Sequence, residues 1–147
     1  MEPLTEHVAA RADAADWRAA VRLAGDLLVS AGLATAEYAG AMEEAREELG
    51  PYMVIAPGVA MPHARPERGV LAPGVAVVTL VTPVAFGHAA NDPVDVVIAF
   101  AAEDKSAHLA TLQRIAALVT DPDALSAVRG AHDDGELRAA LATRRTA

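Results

Sequence analysis

Two apolar runs, Val75 to Val81 and Val94 to Ala102, constrain this chain more than anything else in it. Both are rich in β-branched residues. Neither alternates apolar with polar, apart from Asp95 near the start of the second. A strand that is apolar on both side-chain rows has to be covered on both faces, because a row facing water would alternate. The rest of the sequence offers that cover. Asp16 reads as the N-cap of a helix in which Trp17, Ala20, Val21, Ala24, Leu27 and Leu28 repeat at the spacing of one buried face, with Gly32 at its end. Thr35 begins a second helix running to about Leu49, with Tyr38, Met42, Ala45 and Leu49 as its apolar stripe, and Gly50-Pro51 stops it.

Beyond the runs, Ser106 reads as the cap of a helix bearing Leu109, Leu112, Ile115, Ala116 and Val119, closed by Asp121-Pro122. Asp123 opens a short helix to about Arg129, Gly130 to Gly135 reads as a loop, and a last helix starts at Glu136. Smaller extended pieces are expected at 53–56, at 58–61 and between Pro83 and Gly87. Val8 to Ala10 suggests a strand or a turn. Helices, then strands, then helices again predict an α/β fold: a single domain over residues 1–147, with a central mixed sheet covered by helices on both faces.

Composition narrows the function. The net charge is −8 and Lys105 is the sole lysine, so the counterion-displacing basic patch of a nucleic-acid binder is missing. Aromatics make up 3%, too few for a base-stacking platform. There is no cysteine, which excludes disulfides and thiolate chemistry. The first residues lack a basic stretch followed by an apolar one, and the long apolar runs are too short to span a bilayer. A cytoplasmic protein without direct membrane insertion is expected.

The chemistry concentrates at Val54-Ile55-Ala56-Pro57-Gly58-Val59-Ala60-Met61-Pro62-His63-Ala64-Arg65-Pro66-Glu67. Pro62 fixes its own φ and pushes Met61 out of the helical region, so the approach to His63 is extended and stiff. Ala64 leaves space beside the imidazole. A neutral imidazole is a nucleophile as well as a base. No His-Glu-x-x-His helix, Gly-x-Ser-x-Gly elbow or carboxylate–histidine cluster points to a metal enzyme or hydrolase instead, and no metal or cofactor is expected. His7, His88 and His132 read as surface or structural. Glu43-Glu44 and Glu47-Glu48 read as a solvated helix face, or more sharply as a surface that steers a basic partner.

This segment, with Gly50-Pro51-Tyr52 before it, resembles the active-site signature of enzyme IIA domains of the fructose–mannitol superfamily, components of the bacterial phosphoenolpyruvate-dependent sugar phosphotransferase system (PTS). Ala-Met-Pro-His-Ala is the general mark, and Gly-Pro-Tyr, Ala-Pro-Gly and His-Ala-Arg-Pro-Glu look most like the ascorbate-type branch. Trp17 to Gly32, Phe86-Gly87-His88 with Asn91-Asp92-Pro93-Val94, and Ala101 to Leu112 extend the likeness along nearly the whole chain. The resemblance implies that His63 takes a phosphoryl group from phospho-HPr and passes it to enzyme IIB, which serves the membrane subunit enzyme IIC, and it suggests Nε2 as the phosphorylated nitrogen. It makes His108 the second histidine, expected to hydrogen-bond the phosphoryl group or orient His63. Arg46 lies near where the mannitol type places an arginine beside its phosphorylated histidine, and Arg65 is placed to reach a transferred phosphoryl group. The sugar, ascorbate- or mannitol-like, is set mostly by the membrane subunit in this family. The oligomeric state is left open, a homodimer included. A regulatory phosphoacceptor that controls other proteins is the alternative role on the same fold.

Overall fold

The computed structural model describes residues 7–50, 53–102 and 104–142. Its strands are β1 (His7–Ala12), β2 (Val54–Ala56), β3 (Val59–Ala60), β4 (Gly74–Val84) and β5 (Val94–Ala101). Its helices are α1 (Trp17–Ser30), α2 (Ala36–Leu49), α3 (Lys105–Val119), α4 (Pro122–Gly130) and α5 (Asp134–Ala142). The strands form one mixed sheet in the order β1-β4-β5-β3-β2. β1 runs parallel to β4 and β3 parallel to β5, while β4 with β5 and β2 with β3 are antiparallel.

The two apolar runs are the two central strands, β4 and β5. Their side chains alternate between two cores. Ala76, Val78, Val97, Ala99 and Ala101 face Ala20, Val21, Ala24 and Leu28 of α1 and Tyr38 and Met42 of α2. Val75, Val77, Val96, Ile98 and Phe100 face Ile115 and Leu118 of α3, Leu125 and Val128 of α4, and Leu137 and Leu141 of α5. Period-2 alternation of a strand divides one apolar run between the two layers. The α/β fold with helices on both faces is as expected.

Local signals place the helix ends. The Asp16 carboxylate accepts from the Ala19 amide at the start of α1. At its end the Gly32 amide donates to Val29 O and the Leu33 amide to Leu28 O, each 3.0 Å. These two bonds make a Schellman motif, with Gly32 at φ 78 as its left-handed residue. Thr35 caps α2 through the Tyr38 amide.

Val8 to Ala10, read as a strand or a turn, is a strand: it lies in the edge strand β1, whose register with β4 shifts between Ala9 and Ala12. Elsewhere the structure departs from the sequence reading. β4 does not stop at Val81 but runs through Pro83 to Val84. The last registered pair of β1 with β4 is Ala12 with Leu80, so Pro83 lies past that ladder, where a missing N–H breaks no bond to β1. α3 starts at Lys105, so Ser106 lies inside its first turn. α4 starts at Pro122, because Asp121 accepts from the Asp123 and Ala124 amides and is the cap. α5 begins at Asp134, and Asp133 accepts from the Glu136 amide.

Candidate active site

His63 stands just past the C-terminal end of β3. Because β3 is parallel to β5, the histidine emerges beside the C-terminal end of β5, and the Phe100 amide donates to Pro62 O at 3.3 Å. Open α/β sheets place their ligands at this end of the strands. The imidazole is half-buried and stacks on the Phe100 ring, with centroids 4.9 Å apart and planes 22° apart. Its Nδ1 lies 3.0 Å from Met61 O. A carbonyl oxygen only accepts, so this contact assigns the proton to Nδ1 and the in-plane lone pair to Nε2. The ring is thus held by an edge bond and a face contact, both supplied by its own chain.

Tyr38 closes the site from beneath. It is 1% exposed, on α2, and its hydroxyl accepts from the Ala64 amide at 3.1 Å and donates to Phe100 O at 2.7 Å. Tyr38 sits in an apolar stripe, and the one available clue was that a buried tyrosine hydroxyl needs a polar partner.

A cleft of about 590 Å³ opens beside His63, lined by Glu44 and Glu48 of α2 and by Ala64, Arg65, Glu67 and Arg68 of the following segment. Arg65 is exposed, and among the described residues no ion pair engages it. Arg68 is paired with Glu44 at 2.8 Å and Glu37 at 3.3 Å. The hydrogen bonds that this guanidinium donates to Glu44 and then Glu37 raise its pKa.

The other expected residues fall as follows. Arg46 is not among the residues lining the cleft. Its Nε and Nη2 both donate to Phe86 O, at 2.9 and 2.5 Å, and its guanidinium stacks 4.8 Å over Trp17. Arg46 thus braces the Phe86-Gly87 turn in this structure. His108 lies in the first turns of α3, the helix that follows β5 at the site end of the sheet, but its side chain lies outside the described residues. Tyr52 and Glu103 also lie outside them. His88 caps its own turn, its Nδ1 accepting from the Ala90 and Asn91 amides. The ring of His132 lies 3.3 Å from Glu136.

The acidic stretch of α2 needs correction. Glu43 is 4% exposed and is bonded to Arg18 and Arg22 of α1, while Glu47 pairs with Arg18 and Glu44 with Arg68. Glu43 is thus no part of a solvated face, while Glu44, Glu47 and Glu48 remain exposed on it as expected.

The profile of the family described as "Phosphoenolpyruvate-dependent sugar phosphotransferase system, EIIA 2" matches residues 4–143. The chain belongs to that family. It is therefore a phosphotransferase component of the sugar PTS. It is 41% identical over 128 residues to the ascorbate-specific PTS system EIIA component of Escherichia coli K12, covering 86% of this chain and 83% of that one. Among solved structures it resembles the mannitol-specific cryptic enzyme IIA CmtB of Escherichia coli, with a TM-score of 0.82 at 28% identity over 91% of this chain and 90% of that one. It likewise resembles the Escherichia coli mannitol enzyme IIA solved in complex with phosphorylated enzyme IIB, with a TM-score of 0.80 at 26% identity over 93% of this chain and 94% of that one. Among the described residues no helix is long and apolar enough to cross a membrane.

Proposed function

We propose that the chain is a histidine phosphocarrier for sugar uptake, and that Nε2 of His63 is the atom that carries the phosphoryl group. The observation that carries this reading is the Nδ1 contact to Met61 O, which leaves the lone pair on Nε2. In the loading step that lone pair forms the new P–N bond as the P–N bond of phospho-HPr breaks, and the donor imidazole regains its own lone pair. In the second step the phosphoryl group passes to enzyme IIB, as the solved complex of a mannitol-type relative with phosphorylated enzyme IIB supports. Phosphoryl transfer asks a protein mainly for position and for charge opposite the equatorial oxygens. Arg65, at the cleft beside His63, supplies a guanidinium, and His108 is assigned a hydrogen bond to the phosphoryl group, as the family resemblance implies. Arg46 is assigned to the scaffold. The protein acts in the cytoplasm, with enzyme IIC as the downstream membrane subunit and an ascorbate-like sugar as cargo, in keeping with its ascorbate-type relative.

Intact mass after incubation with phosphoenolpyruvate, enzyme I and HPr tests the reading. Wild type gains one phosphoryl group that is labile to acid and stable to base, and His63→Ala gains none. Label retained in His63→Ala would move the nucleophile elsewhere. Label that forms on His63 but passes to no enzyme IIB would favour the regulatory phosphoacceptor.

A further inference from the structure

We infer that Tyr38 is the positioning residue for the His63 nucleophile, an inference that rests on the phosphocarrier reading for its kinetics but not for its structural readout. Three observations meet at one hydroxyl. Ala64, whose amide donates to it, is the residue next to His63 in the chain. Phe100, whose carbonyl accepts from it, is the residue on whose ring the imidazole stacks. The hydroxyl itself is placed by α2, whose start is capped by Thr35 through the amide of Tyr38 itself.

One side chain thus fixes both the backbone that carries the nucleophile and the surface against which its ring lies. The Tyr38 hydroxyl bonds main-chain groups on either side of the ring. The hydroxyl acts through geometry, by keeping Ala64 and Phe100 at a fixed separation so that the Nδ1–Met61 bond and the ring stack hold together. If that separation is lost, the imidazole gains freedom to turn about its side-chain bonds, and the proton is no longer held on Nδ1. Helix α2 also carries Glu44 and Glu48 to the cleft, so the same helix positions the ring and one wall of its approach.

Tyr38→Phe tests this, because it keeps the buried ring and removes only the hydroxyl. Two measurements are made on protein whose fold is checked by circular dichroism. The first is the single-turnover rate of phosphorylation by phospho-HPr. It falls roughly 10- to 100-fold, the range in which a misplaced reacting group slows a step. The second is the ¹⁵N spectrum of the His63 imidazole in the isolated protein, which needs no partner. Wild type shows the Nδ1–H form, and Tyr38→Phe shows a mixture of tautomers. Wild-type rate together with an unchanged ring spectrum would overturn the inference. A lowered rate with an unchanged spectrum would also overturn it, since the hydroxyl would then act on something other than the ring. Should Tyr38→Phe not fold, replacing residue 64 by lactic acid turns its amide into an ester, deletes the N–H that donates to the hydroxyl and is read the same two ways. If wild type itself takes no phosphoryl group, the phosphocarrier reading fails, while the spectra still decide whether Tyr38 orders the ring.

Discussion

Two glycines in the helical layer allow the packing beneath the site to be measured. Gly25 in α1 is buried, and a Cβ built on it lies 2.9 Å from the Ala39 Cβ, 3.2 Å from the Met42 Cε and 3.3 Å from the Ala39 Cα. Carbon atoms pack best at about 3.5–4.0 Å, so the shortfall at Ala39 is about 0.6–1.1 Å, and neither a methyl nor a backbone carbon yields by rotation. Gly40 in α2 has no atom within 4 Å of such a Cβ. Gly→Ala gains about 0.8–1.0 kcal/mol of helix propensity at either site. At Gly40 nothing opposes it, so Gly40→Ala stabilises by up to about 1 kcal/mol. At Gly25 overpacking costs about 1–3 kcal/mol, and Gly25→Ala comes out between roughly neutral and 2 kcal/mol destabilising. The difference between the variants, about 1–3 kcal/mol, isolates the close approach of α1 to α2, because the covalent change is the same. Urea unfolding followed by circular dichroism measures both. Equal stabilisation would refute the argument, since α1 and α2 would then not be in contact at Gly25. Ala39 is the neighbour of Tyr38, so Gly25→Ala should also slow phosphorylation of His63, whereas Gly40→Ala should not.

Other perturbations test separate parts of the construction. Asp121→Ala removes the carboxylate that accepts from the Asp123 and Ala124 amides, and should lower stability by about 1 kcal/mol in the same urea assay. Gly87→Ala places a side chain at φ 92, with its Cβ 2.9 Å from Arg46 Nη2, and should cost about 1–3 kcal/mol. Trp17 is the sole tryptophan and lies against Arg46, so its fluorescence should shift in Gly87→Ala. An unchanged spectrum would count against the Arg46 clamp on the Phe86-Gly87 turn.

How far the sequence could be read follows from the range of the interactions involved. Asp16 and Thr35 accept from amides, and Gly32 donates to a carbonyl, only a few residues away, and their places in the structure are those their local patterns indicate. Asp121-Pro122 misleads for a local reason: proline ends one helix but also suits the first position of the next, and the carboxylate ahead of it decides which. Pro83 misleads for a long-range reason, since whether it breaks a strand depends on a neighbour, β1, distant in the chain. The site divides the same way. The stiff approach to His63 was legible in Met61-Pro62. The tyrosine beneath it was not, because its partners at Ala64 and Phe100 are 26 and 62 residues away. Arg46 was placed by analogy of position, and its partners in the structure, Phe86 O and Trp17, are nowhere near it in sequence. Glu43 looked solvated for the same reason, its cations being 21 and 25 residues back on α1.

The arrangement around His63 suits a carrier better than an enzyme for a small substrate. A carrier has to present one nitrogen to two proteins in turn, so the ring must be reachable from outside and yet keep one orientation without help from either partner. Both conditions are met by restraining the ring from below. The Met61 carbonyl takes one edge, Phe100 takes a face, and Tyr38 ties the supporting strands to α2. Every one of these groups belongs to the described chain and lies on, or next to, a strand or helix of the scaffold. Such pre-organisation places its cost in folding rather than in docking, so on the proposed reading each encounter meets a nucleophile already aligned. The parallel pairing of β3 with β5 makes this geometry available, because it brings the end of a two-residue strand beside the end of a buried central one. With β3 in the opposite direction, Pro62 and His63 would leave the sheet at its other end, away from Phe100 and from the start of α3.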